Sequence, residues 1–224
     1  MHCFNDDLRR GLATLALVSA FGLACDDTDP LVGLEVQVYS GTFSPMNGSG
    51  VGGLVNLTLD PDGGDFSASV DANGTDASIT HAQHIHFAAA CPTTAADANA
   101  DGFVDVIEGI PSYGKILVPL DADLSVQGGP ADMDFPESSA SGAIDYFQRT
   151  SLDVMLADLR AADPDPDDAI VKLGSGGELD LAGRTVVLHG VAADTDLPAT
   201  VQTLGTAPRQ ATLPIACATL DRVD

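Results

Sequence analysis

HAQHIHFAAACPTTAADANADGFVDVIE, residues His81 to Glu108, is the stretch on which the reading of this chain turns. Its first part, around His84-Ile85-His86, puts two imidazoles on one face of a strand, because side chains on an extended chain alternate with period two. Its second part, Asp97 to Glu108, is a run of oxygen-bearing side chains around a central glycine. Four of the five histidines of the sequence are His81, His84, His86 and His189, and three of those four lie here. One segment therefore carries a nitrogen vocabulary and an oxygen vocabulary for metal.

Outward from this stretch the pattern is strand, turn, strand. Leu34 to Tyr39 and Leu54 to Leu59 alternate apolar and polar residues, and Asp60-Pro61-Asp62-Gly63-Gly64 is a turn. Asp65 to Val70 reads as a third strand and Ala77 to Phe87 as a fourth. Lys115 to Leu120 is a fifth, with Pro119 placing it at an edge or an end. Residues 121–145 read as loop. Ser151 to Ala161 predicts a helix, with Ser151 as its cap and Leu152, Met155, Leu156 and Leu159 as its apolar stripe. Ala169 to Leu173, Arg184 to His189 and Ala211 to Leu220 complete the set of strands. No internal repeat or linker divides residues 33–224. The fold expected is mainly β, one antiparallel Greek-key sandwich or barrel with a helix in a long connection.

Composition limits the partners. Asp and Glu number 33 against 9 Lys and Arg, a surface that repels nucleic acid and anionic membranes. Arg9 and Arg10 precede an apolar run, Gly11 to Ala24, too short to span a bilayer. Residues 1–24 thus read as an export signal and 25–32 as an acidic tether. Gly22-Leu23-Ala24-Cys25 resembles the lipobox of bacterial lipoproteins, which implies lipidation of Cys25, a bacterial envelope location, and membrane contact through that lipid alone. With Cys3 in the signal and Cys25 lipidated, Cys91 and Cys217 remain as one pair in an oxidising compartment, where a disulfide persists. Nothing in the sequence specifies a protein partner or an oligomeric state.

Asp97, Asn99, Asp101, Phe103, Asp105 and Glu108 stand at positions one, three, five, seven, nine and twelve of a loop with Gly102 at six. This spacing matches the EF-hand calcium loop, in which position seven offers its carbonyl and position twelve a bidentate carboxylate. Pro92 and Pro111 bracket the run, so long flanking helices are not expected, and calcium here would order a loop. No G-x-S-x-G elbow surrounds a serine, and Gly174 to Gly177 is a turn without a phosphate-loop lysine, so neither signal rises above background.

His81-Ala-Gln-His84-Ile-His86, then Cys91, a late Val-Leu-His189-Gly, and Ala216-Cys217 in the closing strand together resemble the copper–zinc superoxide dismutase family and the related chordin-type CHRD sandwich. The resemblance follows the order of elements over about residues 33 to 224 but is specific only in these short motifs. It implies copper at His84, His86 and His189, His81 as a further histidine fixing ring orientation, and Cys91–Cys217 as the family disulfide. The departures are as informative. No histidine lies between His86 and His189, so a zinc site of the dismutase type is excluded on ligand count. The arginine expected just before the last cysteine is missing, with Arg209 the nearest candidate. The expectation is an exported, calcium-stabilised, metal-binding envelope lipoprotein. Its alternatives are a copper-only dismutase-like oxidoreductase and a periplasmic copper sequestering protein.

Overall fold

The first three strands are antiparallel neighbours, β1 (Gln37–Pro45), β2 (Gly52–Asp60) and β3 (Asp65–Asn73). They bury Tyr39 and Phe43, then Val55, Leu57 and Leu59, then Phe66, Ala68, Val70 and Ala72, on one face. β1 starts later than the expected Leu34 to Tyr39 and buries the opposite face, leaving Val36 exposed. The computed structural model describes residues 35–127, 134–163 and 169–223. All of these belong to one compact unit, Gly33–Asp224. The expected export signal, the tether and Cys25 lie outside the described residues.

The remaining strands are β4 (Gln83–His86), β5 (Ile116–Pro119), β6 (Ala143–Ser151), β7 (Thr185–His189), β8 (Pro214–Thr219) and the short β9 (Asp221–Arg222). The order across the sheet is β5-β4-β7-β8-β1-β2-β3-β6, with β9 beside β1, and every strand pairing is antiparallel. The chain crosses from one half to the other between β3 and β4, again between β5 and β6, and again between β6 and β7. The mainly-β, antiparallel expectation holds. β1 joins the halves: Gln37 to Phe43 pair with β2, while Ser44 and Pro45 pair with β8. One core cluster draws on both halves, with Leu57, Phe66 and Val70 from the first and Ile85, Val186, Leu188 and Ile215 from the second.

The two halves differ in a way that positions the site. β1, β2, β3 and β6 are buried on alternate residues, but β4, β5 and β7 are buried at every residue. Their outer face is therefore covered too. Val187 of β7 and Cys217 of β8 pack there with Met46, Val104 and Tyr113, and a second small cluster of Leu197, Val201 and Leu213 takes in Phe103. The cover is made of residues 87–114 and the segment between β7 and β8. Cys91–Cys217 pins the first of these to β8, with Cα atoms 5.7 Å apart and 126 positions between the two residues in sequence.

Several elements differ from expectation. β6 replaces part of the expected loop; its Phe147, 65% exposed, breaks the alternation that would have marked it. The helix α2 spans Leu152–Leu159 and buries Leu152, Met155 and Leu159 as expected, but Ser151 makes no side-chain cap bond. Ser151 is instead the last residue of β6, paired with Asp65. The fourth strand is confined to Gln83–His86, with Thr80 in a lone bridge to Glu137, and residues 169–173 contribute a single bridge, Ile170 to Ile116. Ala211 and Thr212, expected to begin the last strand, instead belong to the short turn α3 (Arg209–Thr212) before Pro214. Among the described residues no helix is long and apolar enough to cross a membrane.

Candidate metal centre

His84 and His86 project from the outer face of β4, as period two requires, while Gln83 and Ile85 face the other way. His84 pairs with Val187 and Gln83 with Leu188, so the next residue of β7, His189, stands beside the pair. A register shift between Leu188 and His189 attends this end of β7. The ring centroids are 5.6 Å apart for His84 and His86, 5.3 Å for His84 and His189, and 6.1 Å for His86 and His189. Their potential ligand atoms all lie within 4.8 Å of one another, the one such group of three or more histidine, cysteine or acidic residues among those described.

The hydrogen bonds decide which atoms are available. His86 Nδ1 lies 2.9 Å from the Gly114 carbonyl, and His189 Nδ1 2.8 Å from the Thr212 carbonyl. A carbonyl only accepts, so each Nδ1 donates and each Nε2 keeps a lone pair. His86 Nε2, His189 Nε2 and His84 Nδ1 are all buried and have no partner. A buried polar atom without a hydrogen bond carries a desolvation cost of about 1–3 kcal/mol. Three such nitrogens in one cluster are what a metal ion would satisfy.

Burial sets the charge state. It holds His84 well below the usual histidine range, helped by His189 and His86, and depresses His86 to about 3 and His189 to about 4. All three are neutral at neutral pH and ready to ligate. In the unfolded chain they return to about 6.5. As pH falls below that value the unfolded state takes up protons that the folded state refuses, so stability drops until the folded values near 3–4 are reached. The metal-free protein is expected to lose at least one proton's worth of stability, about 1.4 kcal/mol per pH unit, between pH 6 and 5. Urea midpoints across that interval check this, and a flat profile there rules it out.

His81 is fully buried. Its Nδ1 lies 3.1 Å from the His189 carbonyl and its Nε2 3.1 Å from the Asp76 carbonyl. It thus grips the main chain of His189, whereas the rings of His86 and His189 are oriented by Gly114 and Thr212. Arg209 donates to the Pro198 carbonyl at 2.7 Å.

Two aromatic neighbours were not singled out from sequence. The Tyr113 ring lies 4.4 Å from His86, and Phe135 meets His84 edge-on at 5.0 Å. Tyr113 ends the helix α1 (Val106–Tyr113), which leaves the acidic loop, and its hydroxyl donates to the Val106 carbonyl at 3.1 Å. Burial pushes its phenol above the ordinary range, so the ring stays neutral. Gly109 was the available signal: one turn before a tyrosine on a helix, it leaves the space into which the ring folds. A Cβ there would stand 2.3 Å from the Tyr113 ring.

The acidic loop has a closed conformation. Asp97 accepts from the Asp101 and Gly102 N–H groups at 3.1 and 2.9 Å, and Asn99 from Asp101 at 2.9 Å. Gly102 takes φ 93°, the left-handed turn its place requires. Asp105 caps α1 through the Ile107 and Glu108 N–H groups, and Glu108 folds back to accept from Ala98 at 2.8 Å. The loop docks on the other covering segment through Thr200 to Asp101 and Gln202 to Asp105. Its carboxylates do not gather three to a point as the histidines do. A short helix does follow the loop despite Pro111, and a single 3-10 turn, Thr94–Ala96, precedes it.

No family model matches the sequence, and no curated protein matches it. Among solved structures the chain is similar to a mutant of the SOD-like protein of Bacillus subtilis, at 18% identity and a TM-score of 0.42, covering 81% of this chain and 97% of that one.

Proposed function

We propose that the protein is an exported metal-binding protein of the superoxide dismutase-like or CHRD class that holds copper at His84, His86 and His189. The observation carrying this reading is the set of three buried, unpartnered imidazole nitrogens turned toward one another. Imidazole suits copper, and metal bound there would remove three desolvation costs together. Each side chain has a distinct task. His84, His86 and His189 supply the lone pairs, the Gly114 and Thr212 carbonyls fix two of the rings, and Tyr113 and Phe135 exclude water. Copper would supply redox chemistry when bound, but the enclosed site and the acidic surface favour retention over turnover of an anionic substrate. The Cys91–Cys217 disulfide supports an oxidising, extracytoplasmic location, and lipidation at Cys25 would hold the domain on a bacterial envelope.

The test is metal analysis of protein purified without chelator and then loaded with copper. One copper per chain is expected in the wild type and none in His86→Ala; equal copper in both would defeat the reading.

A second site is favoured by the closed loop at Asp97–Glu108, which pulls its last carboxylate back to its first residues. Calcium bound to Asp97, Asn99, Asp101, the Phe103 carbonyl, Asp105 and Glu108 would order the cover above the histidines. EDTA should then lower the melting temperature of the wild type, and Asp97→Ala should remove that sensitivity. Identical melting curves with and without EDTA would exclude a calcium role.

A further inference from the structure

We propose that the histidine trio selects copper in its cuprous state over Cu2+ and Zn2+, an inference that rests on the copper reading and specifies the valence. The donors are three neutral nitrogens. Among the described residues no carboxylate or thiolate joins the group at ligand distance, and both nearby cysteines are consumed in the disulfide. A bound ion would therefore keep its full charge. The cost of taking an ion out of water scales with the square of its charge, so a monovalent ion incurs about a quarter of the cost of a divalent one.

The surroundings make that cost real. His84, His86 and His189 are only 7%, 3% and 3% exposed. The Tyr113 ring covers one side, with its hydroxyl already committed to Val106, and the Phe135 edge stands at His84. Val187 and Cys217 lie in the same buried layer. None of these groups solvates a second positive charge.

Coordination number acts in the same direction. Zn2+ in proteins takes four ligands, and Cu2+ prefers a tetragonal set. Here three nitrogens are on offer, and two of the rings are clamped by carbonyls from separate covering segments, Gly114 and Thr212. Cu+ is satisfied by three neutral donors. The formal charge of -24 does attract divalent ions. That attraction comes from exposed carboxylates, however, and is screened over about 8–10 Å of electrolyte.

The experiment uses the full domain, with His86→Ala as the baseline for cations held by surface carboxylates. Cu+ affinity is measured anaerobically by competition with bicinchoninate, and Cu2+ and Zn2+ affinities by competition with chelators of known strength. The expected result is Cu+ at least 100-fold tighter than either divalent ion. Against Cu2+ this raises the reduction potential by about 120 mV over the free copper couple, at 59 mV per tenfold. Protein loaded anaerobically with Cu+ should stay silent in electron paramagnetic resonance after exposure to air. A ratio below 100 against either ion, or a Cu2+ signal from the loaded site, overturns the valence preference while leaving the site itself intact. Failure of all three ions to bind above the His86→Ala baseline would instead remove the copper reading. Phe135→Asp provides a gain-of-function arm: a carboxylate beside His84 should raise Cu2+ affinity at least tenfold with little change for Cu+. An equal gain for both ions would count against the charge argument.

Discussion

Replacing Cys91 and Cys217 together by alanine is expected to lower the folding free energy by about 4–5 kcal/mol. The bridge spans 126 positions in sequence, so its removal restores a large loop entropy to the unfolded chain. The loss is a large part of the stability of an ordinary domain, about 5–15 kcal/mol. The effect should reach beyond stability, because Cys91 lies in the covering segment whose Gly114 carbonyl orients His86. Urea unfolding of the double variant at neutral pH gives the measurement. A loss under 2 kcal/mol would mean that the small cluster of Met46, Val104, Tyr113 and Val187 holds the cover by itself.

Gly109→Ala is the second large effect. In most exposed helices this change is favourable by about 1 kcal/mol. Here the new methyl group would fall 2.3–2.6 Å from three atoms of the Tyr113 side chain, which is fully buried. Displacing a buried aromatic ring costs about 3–5 kcal/mol, so a net loss of about 2–4 kcal/mol is expected. The ring that leaves is the one packed on His86, so copper affinity is expected to fall together with stability. Copper competition and thermal melts on the same sample test both halves. Wild-type stability together with wild-type copper affinity would show that Tyr113 neither supports the fold nor seals the site.

Much of the architecture could be read from the chain because its signals are local. Period-two alternation marked β2, and His84-Ile85-His86 placed its imidazoles on one face for the same reason. The alternation of Leu34 to Tyr39 pointed to the wrong face of β1, which buries Tyr39 and Phe43, and Val36 just before it is exposed. The apolar stripe of Leu152, Met155 and Leu159 marked α2. What escaped depends on contacts distant in sequence. β6 exposes Phe147, so its apolar residues do not alternate cleanly, and pairing with β3 over Asp65 to Asn73 is what makes it a strand. The carbonyls of Gly114 and Thr212 orient two ligand rings, and a main-chain carbonyl leaves no mark in a sequence. Tyr113 and Phe135 become neighbours of the histidines only through the cover and the long connection. His81 was legible as part of the histidine constellation, but its grip on the main chain of His189 was not. The acidic loop is legible as a spacing, but the spacing does not reveal that its carboxylates bond main-chain N–H groups and do not gather three to a point.

His189 lies more than a hundred residues beyond His86 in the chain, and the two meet only because β4 and β7 are neighbours in the sheet. A chain still unfolded offers metal the local histidines His81, His84 and His86 but not His189. The full trio exists only after the chain has crossed between the halves three times and β4 has found β7. On the copper reading, the complete site therefore forms late, after the sheet has closed β4 onto β7. In refolding experiments copper added at time zero should leave the rate of folding unchanged, while raising the stability of the finished protein.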